Sequence, residues 1–113
     1  MERHYNKESL REVAGGDEDF MAVVAQAFIE EIPPDLMALG EAIDNGNREL
    51  AYQFAHKMKP NIEMFGIDLL KDVAAIESWT KSSKKVESIL DNIKKVDKTL
   101  NLVFEELKED FEL

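Results

Sequence analysis

Cysteine is absent from this chain, which excludes a disulfide scaffold, a thiolate zinc centre and thiol catalysis. Basic residues are few beside acidic ones: 14 Lys and Arg against 24 Asp and Glu leave a formal net charge of −10. That balance argues against sequence-independent binding to nucleic acid or an anionic membrane. No apolar run approaches the length of a bilayer span, and the opening residues Met1-Glu2-Arg3-His4-Tyr5-Asn6-Lys7 form no apolar stretch. Together these absences lead us to expect a soluble, cytoplasmic protein with neither a nucleic-acid nor a membrane partner. The strict alternation and β-branched enrichment of strands are missing too, so the fold class is all-α.

What remains is helical periodicity over 113 residues, enough for one domain spanning 1–113 with its own core. A short opening helix is expected over Ser9 to Ala14, closed by Gly15-Gly16, with Asp17, Glu18 and Asp19 capping the next. That helix should carry Phe20, Val24, Ala27 and Phe28 inward and end or bend near Ile32, because Pro33 disfavours helical geometry in the residue before it. Pro34 suits the first turn of a new helix running to about Asp44. Asn45-Gly46-Asn47 then supplies a stop and a fresh cap, opening a helix from near Arg48 to about Phe65. Asp68 is expected to cap a helix with Leu69, Leu70, Val73 and Ile76 inward, fading around Trp79 to Ser83. Val86, Ile89, Leu90, Ile93, Val96, Leu100, Val103, Phe104 and Leu107 repeat at threes and fours over about six turns and define the last helix. An antiparallel four-helix bundle with an additional short N-terminal helix or helices satisfies this pattern, and a monomer suffices to bury its stripes.

The helix from Arg48 holds the informative residue. At about 100° per residue, Ala51, Phe54, Ala55, Met58, Ile62 and Phe65 share one face, and His56 lies about 150° from their centre. It should face water, in the company of Glu49, Tyr52, Gln53, Lys59, Pro60 and Glu63. Lys59 follows His56 at a contact spacing, where its ammonium can approach an anion held on the imidazole. His4, the other histidine, lies in a polar terminal segment and is read as incidental. Tyr52 and Phe65 are candidates for the border of a docking patch, although core packing is the stronger reading of Phe65. A metal site built from His56, Glu49 and Glu63 is disfavoured, because no paired Glu-x-x-His elements are present.

The segment His56-Lys57-Met58-Lys59-Pro60-Asn61 and Gly66 resembles the signature of histidine-containing phosphotransfer (HPt) domains: histidine, two residues, lysine, glycine, serine or alanine, then four residues and a second glycine. His56, Lys59 and Gly66 match in identity and spacing, while Pro60 stands where glycine is usual and Asn61 where serine or alanine is. The likeness continues in Gly15-Gly16-Asp17-Glu18-Asp19-Phe20, in Phe28-Ile29-Glu30-Glu31-Ile32-Pro33, and in Ile76-Glu77, where the family's helix after the motif often carries a glutamate. It spans nearly the whole chain.

The resemblance implies a phosphocarrier rather than an enzyme. His56 would accept a phosphoryl group from a receiver aspartate and return it to another, with response-regulator receiver domains or a hybrid histidine kinase as partners. Lys59 would offset phosphoryl charge, and Gln53 and Asn61 would be hydrogen-bond donors near the site. Lys57 would either contact an acidic receiver surface or serve only as a solubilising lysine, and Pro60 and Gly66 would shape the segment. No cofactor or metal is implied for the chain itself, since the receiver supplies the aspartate and magnesium. Pro60 cannot donate to the carbonyl of His56, so a kink or loosened turn is expected there, costing about 3 kcal/mol in an ordinary helix interior. The alternative is a noncatalytic helical-bundle module that binds receivers without phosphotransfer.

Overall fold

The computed structural model describes residues 2–113. The described residues are mostly helical and contain no strand: α1 (Lys7–Val13), α2 (Glu18–Asp44), α3 (Arg48–Met64), α4 (Leu70–Thr80) and α5 (Leu90–Phe111), with a 3-10 turn over Val86–Ile89 leading into α5. No helix is long and apolar enough to cross a membrane among these residues. Three starts are capped by side chains, as their sequences require. Asn6 accepts from the Ser9 N–H, Asp17 from Asp19 and Phe20, and Asn47 from Leu50.

The largest departure from the expected layout is α2, which runs through Pro33 and Pro34 as one helix of 27 residues. Its buried positions explain why. Met21, Ala25, Phe28, Ile32, Asp35, Leu39 and Ala42 form one unbroken stripe at alternating fours and threes. A break at Ile32 would throw its second half out of phase. Burial on both sides therefore outweighs the two lost backbone donors. The same stripe corrects the inward set: Phe28 is buried and Val24 partly so, but Phe20 and Ala27 are exposed because Met21 and Ala25 take the core side.

Two further helix starts differ from expectation. Asp68 makes no cap, and α4 begins after Leu69 without a side-chain hydrogen bond. At the other, the 3-10 turn buries Ile89 and leaves Leu90 exposed, so the stripe of α5 proper runs through Val96, Leu100, Val103, Phe104 and Leu107.

The core joins these stripes to Ala51, Ala55, Met58, Ile62 and Phe65 of α3 and to Leu69, Val73, Ile76 and Trp79 around α4. Phe28 and Phe65 meet at its centre with ring centroids 4.3 Å apart. Phe65 is fully buried, which makes it core and not docking surface. Asp72, itself buried, ties α4 to α5 through Asn92 at 3.0 Å and Lys95 at 3.2 Å.

The N-terminal segment is structural, which corrects the incidental reading of His4. Glu106 accepts from the His4 backbone N–H at 2.7 Å and lies 2.5 Å from its Nδ1. Tyr5 is buried and donates to Asp110, which also pairs with Arg3 at 2.6 Å. The Asn6 N–H then donates to the Phe65 carbonyl. Gly66 closes this contact. Its φ is +61°, and a Cβ there would stand 2.6 Å from Cβ of Asn6.

Candidate functional site

α3 packs between α2 and α4, and its contacts with α4 run in opposite directions along the two helices. Lys59 and His56 face Glu77, Tyr52 faces Lys81, and Arg48 reaches the carbonyl of Lys84. Ala51, Ala55 and Met58 turn into the core and fix the rotation of α3, so His56 emerges on the opposite side with 61 % of its side chain exposed. The helix neither ends nor breaks at Pro60. Packing by Met58 and Ile62 on either side of the proline holds the turn that its missing N–H leaves unsupported.

The charges around His56 converge on one carboxylate. Glu77 Oε2 lies 3.6 Å from His56 Nδ1, and Glu77 Oε1 lies 3.2 Å from Lys59 Nζ. The first distance is a charge contact, too long for a hydrogen bond. The second is close but not aligned for one, and Oε1, which is buried, accepts no hydrogen bond. Glu77 is thus a mostly buried carboxylate between a histidine and a lysine, and its buried oxygen accepts no hydrogen bond. It faces Nδ1, so Nε2, across the ring, is directed away from it.

Of the other residues singled out by sequence, Gln53 and Pro60 lie one helical turn either side of His56 on the same face, both exposed. Asn61 does not join them: five residues on, it sits about 140° round the helix from His56. Gly66 lies ten residues along, about 15 Å by helical rise, and serves the contact with Asn6 instead. Lys57 turns to α2, where its Nζ meets the buried Asp35 at 3.0 Å. Neither Glu49 nor Glu63 forms an ion pair with His56, and no group of three or more metal-ligating side chains occurs among the described residues.

Two neighbours of the site went unassigned by the motif. The Tyr52 ring stacks on the His56 ring with centroids 5.5 Å apart and planes 16° from parallel, and Lys81 Nζ lies 4.4 Å from the Tyr52 centroid. Tyr52 was detectable as the residue one turn before His56. Lys81 was not, because only the packing of α4 on α3 brings it there.

The surface around His56 is open. A cleft of about 590 Å³ lies beside Gly66 and is lined by Arg3, His4, Asn6 and Lys95 among others, with no part taken by His56. An imidazole on an exposed face lacks the concavity that small-molecule sites use. No family model, curated protein or solved structure matches the chain.

Proposed function

We propose that this chain is a histidine phosphotransfer protein that carries a phosphoryl group on His56 between receiver-domain aspartates. The observation that carries the reading is the exposed imidazole with Nδ1 turned to Glu77 and Lys59 sharing the same carboxylate. In the tautomer that keeps a proton on Nδ1, the Nε2 lone pair is free to attack. The Nε2–P bond forms as the acyl-phosphate O–P bond breaks, and the bonding pair leaves with the aspartate carboxylate. Glu77 stabilises the positive charge that the ring gains, and the Nδ1 proton can then pass to that carboxylate or to solvent. Lys59, already beside His56, offsets charge on the phosphoryl oxygens. The magnesium for transfer belongs to the receiver. In this reading α2 to α5 form the antiparallel four-helix bundle of the HPt family, α1 is the additional helix, and the protein acts as a cytoplasmic monomer.

The second reading, a module that binds receivers without transfer, is favoured by one observation: the Lys59 ammonium is already engaged by Glu77. Mixing the protein with a phosphorylated receiver separates the two. Acid-labile phosphate on the wild type and none on His56→Gln is expected. Receiver binding with no phosphate transferred would establish the docking module instead.

A further inference from the structure

Tyr52 precedes His56 by one helical turn, and its near-parallel stacking on the imidazole is the closest ring contact His56 makes. His56 and Lys81 are both exposed and Tyr52 is half-buried, so core packing does not account for the row of three. Lys81 is itself held from behind. Arg48 donates through Nη1 to the carbonyls of Trp79 at 2.9 Å and Ser82 at 3.1 Å, and through Nη2 to that of Lys84 at 2.7 Å. Its guanidinium lies 4.1 Å from the centroid of Trp79, whose Nε1 donates to the Lys84 carbonyl at 3.0 Å. The backbone that bears Lys81 is therefore anchored on both sides.

This support matters because little else restrains the imidazole. The Glu77 contact at 3.6 Å fixes no direction. An unheld histidine on a helix samples two χ1 wells and a roughly two-fold χ2, leaving about a quarter of the population in any one orientation. A ring stacked on one face removes that freedom, and a cation over the Tyr52 ring steadies it.

We propose that Tyr52 and Lys81 are positioning residues for phosphoryl transfer: Lys81 holds the Tyr52 ring, and that ring sets the plane of the His56 imidazole so that Nε2 meets the incoming receiver. The inference rests on His56 being the phosphoacceptor. Both residues act through His56 and not on the phosphoryl group.

Two donors test it. Phosphoramidate is small and approaches from any direction, so wild type, Tyr52→Leu and Lys81→Ala should all be labelled on His56 at similar rates. Failure to label the wild type would overturn the phosphocarrier reading and this inference with it. With a phosphorylated receiver as donor, Tyr52→Leu and Lys81→Ala should lower the saturated transfer rate about fourfold, the freedom regained by the ring. The half-saturating receiver concentration should not move. Tyr52→Phe and Lys81→Arg, which keep the ring and the cation, should transfer like the wild type. Equal saturated rates in every labelled variant would overturn the proposal, as would a change confined to the half-saturating concentration. Circular dichroism checks folding, and Lys81→Ala, at an exposed position, carries the test if Tyr52→Leu is unfolded.

Discussion

His4 and His56 each face a glutamate, and the two pairs differ in what the glutamate binds. Glu106 takes both the backbone N–H and the ring of His4, at 2.7 and 2.5 Å, and so fastens the N-terminal segment to α5. Glu77 touches only the ring of His56, at 3.6 Å, and divides its charge with Lys59. One carboxylate closes a structural joint, and the other makes no hydrogen bond to its ring, whose far nitrogen is left free. Exposure alone does not separate them, since the side chain of His4 is 45 % exposed and that of His56 61 %. The number of bonds to the carboxylate does.

The strongest way to damage the His4 end without touching any charge is Gly66→Ala. A Cβ at φ +61° and 2.6 Å from Asn6 should cost about 2–3 kcal/mol and lower the urea midpoint, with His56 still accepting phosphate in whatever fraction remains folded. Next in size is the contrast between the glutamates. Glu106→Ala strands the His4 N–H and should cost about 2 kcal/mol of stability. Glu77→Ala should cost less than about 1 kcal/mol, since its Oε1 makes no hydrogen bond now, yet slow phosphotransfer about tenfold. Equal losses of stability from the two would break the comparison.

The smallest effect is a pH dependence confined to the N-terminal joint. Burial, with the hydrogen bond to Asp110 second, pushes the Tyr5 hydroxyl well above its usual range. A group whose pKa is raised on folding contributes stability that is complete below its unfolded value and is lost as the pH climbs past it. The wild type should therefore lose stability from about pH 10 upward, and Tyr5→Phe should lose less over the same range. Parallel thermal-melt curves for the two would remove Tyr5 from the account.

Much of this was readable from residue order. Asn45-Gly46-Asn47 and Gly15-Gly16 mark real helix junctions, and the outward angle of His56 followed from the apolar face of α3 alone. Local signals failed where tertiary burial overrode them. Pro33 and Pro34 read as a break because a proline's cost is local, whereas the stripe that keeps α2 continuous, from Met21 to Ala42, is recognised only over its full length. The latch at His4 depends on Glu106, 102 residues away in sequence, and no periodicity connects them. At the site, Glu77 was visible as a glutamate in a suggestive place, but Lys81 reaches Tyr52 only because α4 packs on α3 in the opposite direction.

The most direct test of the central claim is intact-mass and peptide mapping after incubation with a phosphorylated receiver, applied to wild type, His4→Gln and His56→Gln. The account predicts one acid-labile phosphoryl group, mapped to His56, on the wild type and on His4→Gln, and none on His56→Gln. A phosphoryl group that persists on His56→Gln, or that never appears on the wild type, would contradict it.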